Sequence, residues 1–599
     1  MVDPRIYRGL LVLVAFAVVV FGFSLQNQPG GVGATIAPGQ FFSQTGSEML
    51  SLARQYPDRS PGSPGDRGLA QTVHSDFNQT KGLEVSTQYF TAHTASGDQV
   101  LENVIAQRPG LGSGEIVVVA SRDATGTPGQ AAMSGTATLL SLARAISGET
   151  PSHTLVLIST SGQVGAAGAT QIANSLSGQP VDAVIVLGDL AGAQHRTPMV
   201  VTWSGTDLLA PLMLRNTLAD FVSQQTGIKT AEPGIAGQLV RLAVPFSLTQ
   251  QAPFIANGIP AVTLSTASDL VPPSHEKLAG AGQIANFGTA VMQTLNALDH
   301  GPAVPAPSSY LLISGKVVPL WALRLLVLAL ILPVGATVVD ALARTRRRGH
   351  SILRWIGWVL CGAVPFLVGL IALWVARAAK LLSANPPGAV GAHGVPITGG
   401  DTAVLLVIVV IVVLTFAFVR PWCLRAVASM AAGSSASARR PETPAADAAA
   451  VALTLVMTVL TLVVWALNPF AALLLVPALH LWLWLAQPGL RAHRIAVTGL
   501  ALAALLPAVP VLIYYADAYA LTPVGLVWSV VLMIAGGAMP AVTAVYWALA
   551  LGCVASAFVI ASKAAKAAAL MSDPVVTVRG PSTYAGPGSL GGTESALRR

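Results

Sequence analysis

Two kinds of apolar pattern divide this chain. Up to about residue 300, short apolar runs end in polar clusters and alternate with stretches of helical periodicity. The clearest case lies between Val117 and Gly168. The run Ile116–Ala120 ends at Ser121-Arg122-Asp123, as expected of a buried strand that delivers polar residues at its C-terminal end. Ser134-Gly135 then opens a helix with Leu139, Leu142, Ala143 and Ile146 on one face. Leu155–Ile158 is the next buried strand, followed by Ser161-Gly162-Gln163-Val164-Gly165. With these two, at 115–120 and 154–158, further strands are expected at 84–90, 103–106, 183–188, 199–203 and 261–264, so residues 47–300 read as one α/β domain. Its sheet is expected to be mixed and mostly parallel, flanked by helices. Glycine- and proline-rich linkers, 26–46 and 301–316, bound the domain.

Past residue 316 the pattern changes to long apolar runs. Spans are expected at 317–339, 354–376, 402–419, 448–467, 470–487, 495–515, 523–539 and 541–562, an all-α polytopic part covering 317–562. Another apolar run, 9–25, follows Arg5 and Arg8. It lacks a small-x-small cleavage site nearby and reads as a signal anchor rather than a cleaved signal peptide, with residues 1–8 cytoplasmic. Nine spans are expected in all, with eight as the alternative, because Gly536–Pro540 is a believable turn that leaves Lys563 and Lys566 outside. The stretch 563–599 is expected to be a disordered tail.

Composition sharpens this picture. Among 599 residues, 53% are hydrophobic and only 10% charged, which excludes an ordinary soluble protein. The net charge of +8 does not point to nucleic acid, because the arginines gather in short loops between spans. Arg344–Arg348 (with Thr345), then Arg420, Arg425, Arg439 and Arg440, then Arg491 and Arg494 make every second loop basic. Those loops are expected in the cytoplasm, with 45–300 outside. Arg outnumbers Lys and Ala is abundant, which suggests a bacterial plasma membrane. Cys361, Cys423 and Cys553 all lie in the apolar half, so the outer domain has no disulfide. His480 is the one ionisable group in mid-span, and helix packing is its expected role. Without paired intramembrane charges, a coupled transporter is only a third reading.

The order of motifs resembles the co-catalytic zinc aminopeptidases of peptidase clan MH, which include leucyl aminopeptidases and glutamate carboxypeptidase. Arg59-Ser60-Pro61-Gly62-Ser63 is similar to that family's Arg-x-x-Gly-Ser entry. Asn103-Val104-Ile105-Ala106 is similar to its Asn-Val-Ile strand. Asp189-Leu190-Ala191-Gly192 is similar to its strand-end Asp. Ala252-Pro253-Phe254 with Gly258-Ile259-Pro260-Ala261 matches its Pro-Phe and Gly-Ile-Pro-Ala segments, and His275 its last His. Where the family carries His-x-Asp, Gly-Ala-x-Asp-Asn-x-Ser-Gly and Glu-Glu-x-Gly, this chain has Ser121-x-Asp123, the Gln130-Ala131 region and Gly162-Gln163.

The resemblance implies five zinc ligands and a glutamate base. Of these only Asp189 and His275 remain, and Ser121, Gln130, Ala131, Gly162 and Gln163 stand at degenerate positions. Glycine cannot take a proton and a neutral amide is a poor zinc ligand. No acid lies between Asp123 and Ser134, nor between Thr150 and Asp182, so no shift of register supplies the missing groups. Ser121 has no Gly-x-Ser-x-Gly elbow around it, which argues against a serine hydrolase. His153 and His195 fall in expected surface turns and read as solvated.

The architecture is similar to the vacuolar and endoplasmic-reticulum membrane metallopeptidases and to the attachment subunit of the GPI transamidase, a scaffold. The leading expectation is therefore a non-catalytic membrane protein, without cofactor, in the lipid bilayer. Its outer cleft, with Asp123, Asp189 and His275 as candidates, would bind a peptide, protein or lipid-linked partner. The alternative is a membrane metallopeptidase with a rebuilt site, for which zinc would be the cofactor.

Overall fold

A computed structural model of the chain describes residues 4–34, 41–94, 97–124, 129–148, 150–192, 197–247, 249–267, 277–347, 352–382, 397–432, 445–484, 494–503, 505–536 and 539–572. The α/β part is built on seven strands: β2 (Glu84–Thr94), β3 (Gly97–Arg108), β4 (Glu115–Ser121), β5 (Thr154–Thr160), β6 (Val181–Leu187), β7 (Met199–Val201) and β8 (Ala261–Ser265). All seven expected strands form, and their order across the sheet is β2-β3-β5-β4-β6-β8-β7. The central four are parallel, while β2, β3 and β7 run antiparallel to their neighbours. Parallel and antiparallel pairings are thus equal in number, not mostly parallel as the helical crossovers suggest. The cause is local: the β2–β3 hairpin turns within a few residues, and a tight hairpin joins only antiparallel strands.

Burial explains the sequence of the central strand. Ile116 to Ala120 are each at most 1% exposed, because helices cover both faces, and a strand buried on both sides reads as a continuous apolar run. In one layer α2 (Thr45–Gln55), α4 (Ser134–Ala145) and α9 (Ala281–His300) pack on one another, with α6 (Leu212–Thr226) against α9. Elsewhere α5 (Ala167–Ser175) packs on α8 (Gln251–Ala256), and α3 (Pro64–Gln79) lies against β2 and β3. His153 is not simply solvated. Its Nδ1 lies 3.1 Å from Asp299 Oδ1 and its Nε2 3.5 Å from Asp182 Oδ2, which ties the start of β5 to α9. His195 lies outside the described residues.

The remainder of the chain is helical. Among the described residues, six helices are long and apolar enough to cross a membrane. They are α1 (Pro4–Phe23), α10 (Leu320–Arg347), the pair α11 (Ile352–Leu360) with α12 (Val364–Ala378), α13 (Gly399–Leu414) continuing into α14 (Arg420–Ala432), α15 (Ala445–Leu467) and the last helix. The expected span at 470–487 is the shorter α16 (Pro469–Trp484). The expected span 495–515 is interrupted, giving α17 (Arg494–Ala503) and α18 (Ala508–Ala518), and α19 (Pro523–Ala535) follows at 100° to α18. Ala520 has a left-handed φ of 49°, and Thr522 Oγ1 accepts from Gly525 N–H to cap α19, so one helix stops and another starts. Helix α20 (Ala541–Ser572) closes the described chain.

Both linkers contribute structure that their composition concealed. β9 (Tyr310–Ile313) and β10 (Lys316–Pro319) form a hairpin about Ser314-Gly315, whose φ values of 50° and 77° suit a tight two-residue turn. β1 (Gln26–Asn27), directly after α1, pairs with β10. The two ends of the α/β domain are therefore hydrogen-bonded together where they meet the helices. A second attachment is α7 (Ile235–Ala243). Arg241 lies 3.8 Å over the Trp203 ring and donates from Nε to Tyr514 Oη at 2.7 Å. Asn468 Nδ2 donates to Leu242 O at 2.7 Å, and Phe246 meets Tyr515 and Tyr519 edge-on.

His480 joins three helices. Tyr7 Oη of α1 lies 2.8 Å from its Nδ1, and its Nε2 lies 2.9 Å from the Leu330 carbonyl oxygen of α10. Because a carbonyl only accepts, Nε2 carries the proton and the Tyr7 hydroxyl donates to Nδ1. This is a packing arrangement: the partners of His480 are a tyrosine hydroxyl and a backbone carbonyl, with no carboxylate or cationic side chain between them. Interhelical hydrogen bonds of this kind contribute roughly 0.6–2 kcal/mol in membranes. Tyr7→Phe is expected to lower the melting temperature in detergent slightly, and His480→Leu, which loses both bonds, to lower it more. Equal melting of all three chains would remove His480 from the packing account.

Candidate functional site

The site is assembled at the C-terminal ends of three neighbouring strands. β4 ends at Ser121, β5 at Thr160 and β6 at Leu187, so Ser121, Ser161-Gly162-Gln163 and Asp189 leave the sheet side by side. This is where ligand crevices lie in open α/β sheets. The loop after β4 returns through a single turn, Gln130–Met133, to the start of α4. Gly135 is so close to β6 that a Cβ there would lie 2.7 Å from the Leu187 carbonyl oxygen. That contact presses the helix start onto the strand end.

Asp123 is the centre of the first cluster and is 1% exposed. Its Oδ1 accepts from Ser121 Oγ at 2.7 Å, and the Gln163 N–H donates to both oxygens at 3.1 and 2.9 Å. The carboxylate thereby crosslinks the ends of β4 and β5. Burial first, then the neighbouring Asp66 charge, pushes its pKa up to about 6, against the pull of the Ser121 and Gln163 bonds and of Arg122. Beneath it lies a fully buried ion pair that strand and helix patterns do not reveal. Arg122 Nε sits 2.8 Å from Asp66 Oδ1, while Nη1 and Nη2 donate to the Ser159 and Glu102 carbonyls at 3.1 and 2.7 Å. Asp66 Oδ2 accepts from Gly62 N–H at 2.9 Å and Ser161 Oγ at 2.6 Å. Arg59 is buried alongside. Its Nη1 donates to the Tyr56 carbonyl, whereas Nε and Nη2 have no hydrogen-bond partner among the described residues. Burial lowers its pKa and the charge of Asp123 raises it.

Asp189 forms the second cluster and is 6% exposed. Its Oδ1 accepts from the Ala191 and Gly192 N–H groups at 2.9 and 3.0 Å and from Ser134 Oγ at 3.4 Å. Thr266 Oγ1 lies 3.3 Å from Oδ2. A buried carboxylate needs such donors, and here its own loop and the starts of two other segments supply them. His275, and with it the expected Asp189–His275 contact, lies outside the described residues.

The degenerate positions are built for packing. Ala131 is fully buried in the core, and Gln130 beside it is exposed. Gly162 has a φ of 84°, and a Cβ on it would meet Ala167 Cβ at 2.9 Å and Leu101 Cδ1 at 3.0 Å. The neighbouring turn is held by Ala167 N–H to Gly162 O and Gly168 N–H to Ser161 O, with Asn103 Nδ2 donating to Gly168 O at 3.1 Å.

Among the described residues, the donor set of these two clusters does not fit a zinc pair. Such a pair requires several anionic or imidazole ligands with free lone pairs. The two carboxylates present already accept two or more protein hydrogen bonds each, and Ser121 Oγ spends its proton on Asp123. No group of three His, Cys, Asp or Glu able to hold a metal occurs among the described residues. Sequence reasoning passed over Asp66, Arg122 and Gln250, whose Oε1 accepts from Thr160 Oγ1 at 2.9 Å. Only Asp66 carried a signal: Ser63-Pro64-Gly65-Asp66 has helix-cap spacing, and Ser63 Oγ does accept from Asp66 N–H.

Two outcomes follow from this geometry. Gly162→Glu, which restores the resemblance in name, is expected to destabilise the fold by about 1–3 kcal/mol through its left-handed backbone alone, read by thermal melting. For Asp123, a folded pKa above the usual carboxylate value means that the folded state holds the proton more tightly. Its contribution is then greatest below about pH 4 and is lost as pH rises through about 6. Asp123→Asn removes this titration, so the melting temperature of wild type relative to the variant should fall from pH 4 to pH 6. A constant difference would contradict the assignment.

No protein-family model and no curated protein matches this chain. Similar solved structures include the LapA aminopeptidase of Legionella pneumophila, 19% identical, with 43% of this chain and 71% of that chain covered and a TM-score of 0.36. The zinc aminopeptidase BSAP of Bacillus subtilis is 11% identical over 43% of this chain and 95% of its own, TM-score 0.35. A glutaminyl cyclase of Fimbriiglobus ruber is 16% identical over 44% and 98%, TM-score 0.32.

Proposed function

We propose that this is a multi-pass membrane protein whose outer α/β domain is a pseudopeptidase, a non-catalytic binding or scaffold module at the cell envelope. The observation that carries the reading is the state of the two strand-end carboxylates. Asp123 is committed to Ser121 and Gln163, and Asp189 to the N–H groups of its own loop. Groups in that state hold a crevice in shape, and no base lies where the resemblance calls for one, since Gly162 occupies that place. The proposed ligand is a peptide, protein or lipid-linked partner. The crevice edge is joined to the helices by the strap from Val244 to Gln250, so a partner presented at the membrane surface suits it best.

Orientation belongs to the same proposal. Residues 45–300 are taken as external and the Arg344–Arg347 end of α10 as cytoplasmic, on the positive-inside pattern. An impermeant maleimide should label Ser60→Cys but not Arg347→Cys in intact cells, and the reverse labelling would invert the topology. For the activity, the purified full-length protein is expected to hold no stoichiometric zinc and to hydrolyse no aminoacyl substrates. Zinc at one or two equivalents, with chelator-sensitive hydrolysis, would falsify the pseudopeptidase reading in favour of a membrane metallopeptidase.

A further inference from the structure

The membrane path of the last hundred residues can be worked out from three contacts. Helix α19 has only 13 residues, about 20 Å of rise, against the ~30 Å of a hydrocarbon core. Its C-terminal half stays near one end of α12. Trp374, four residues before the end of α12, donates from Nε1 to Ile534 O at 3.2 Å. Trp528 and Leu532 share an apolar cluster with Leu373, Ala376 and Leu382, and Leu521, just before the start of α19, packs against the same cluster.

The chain then turns back at once, since Met539 N–H donates to Met533 O at 3.0 Å. The start of α20 is therefore at the level of Trp374. Further along, Gly552 of α20 meets Ala363, the residue just before α12, so closely that a Cβ would lie 2.4 Å from Ala363 Cα. Ala541 to Gly552 and Ala363 to Trp374 are equal stretches of helix, each about 16 Å. The two contacts agree only if α20 runs antiparallel to α12. A parallel α20 would begin about 30 Å from Trp374's level, beyond the reach of the one residue, Pro540, that separates Met539 from Ala541.

On the proposed membrane placement, we infer that α19 lies in the outer leaflet without crossing it, and that α20 crosses from outside to inside. The crossings are then eight: α1, α10, α11–α12, α13–α14, α15, α16, α17–α18 and α20. Lys563 and Lys566 come to the same side as the basic loops, which removes the charge conflict that nine spans create. The partner of the outward face of α19 is acyl chain. Val524 and Val527 are 64% and 65% exposed, and Ser529 Oγ donates to its own helix at Gly525 O, so the face presents no unmet polar group to hydrocarbon.

The test compares two single-cysteine additions to the full chain, Ser582→Cys and Arg347→Cys, with the wild-type protein as labelling background. Right-side-out and inside-out vesicles are treated with an impermeant maleimide. Both positions are expected to label from the same face. Labelling from opposite faces overturns the inference, and labelling of both positions from the outside overturns the outer-leaflet placement of α19. A nitroxide at Val527→Cys should collide more often with oxygen than with a water-soluble nickel chelate. The opposite ranking would take α19 out of the lipid.

Discussion

A buried ion pair, Asp66–Arg122, underlies everything at the strand ends. Both side chains are essentially without solvent exposure, and a charge in that position is tolerated only when paired and hydrogen-bonded. The pair meets that condition by gathering the backbone around itself. Arg122 takes carbonyls from β3 and β5, and Asp66 takes the Gly62 N–H and the Ser161 hydroxyl. Four segments are fixed relative to one another as a result. Removing one partner alone would strand a buried charge, a cost of about 3–5 kcal/mol. The position of Asp123 follows from this, because it is the next residue along and its carboxylate closes the layer above.

The resemblance to zinc peptidases acquires a physical meaning in that setting. A metal pair joins strand ends by drawing ligands from several of them. Here the same joining is done by hydrogen bonds: Ser121 and Gln163 on Asp123, Ser134 and Thr266 on Asp189. Gly162 is held as glycine by its left-handed backbone, which is packed against Ala167 and Leu101.

The crevice is also coupled to the helices. From Thr160 the contact passes to Gln250, along the strap to Phe246, and onto the rings of Tyr515 and Tyr519 at the α18–α19 elbow. At the far edge of the sheet, the charge of Lys380, just past α12, favours the Asp98 carboxylate at the β2–β3 tip, adding to the larger effect of His93. The α/β domain is thus tied to the helices by direct contacts on the side of Trp203 and Phe246.

Periodicity in the sequence was enough to locate all seven sheet strands and, to within a few residues, the long apolar helices, because burial on two faces and long apolar runs each leave a composition that can be read locally. It also determined which acids are missing from the strand ends. Three matters were decided by tertiary structure alone. Strand direction at the sheet edges depended on loop geometry rather than on the strands' own residues. The pairing of β1 with β10 joined two segments that composition marks as linkers, since hydrogen bonding between distant chain ends leaves no periodic trace. The burial of Asp66 and Arg122 was equally hidden, because an Asp and an Arg read as surface residues until a partner from another segment is placed within 3 Å of each.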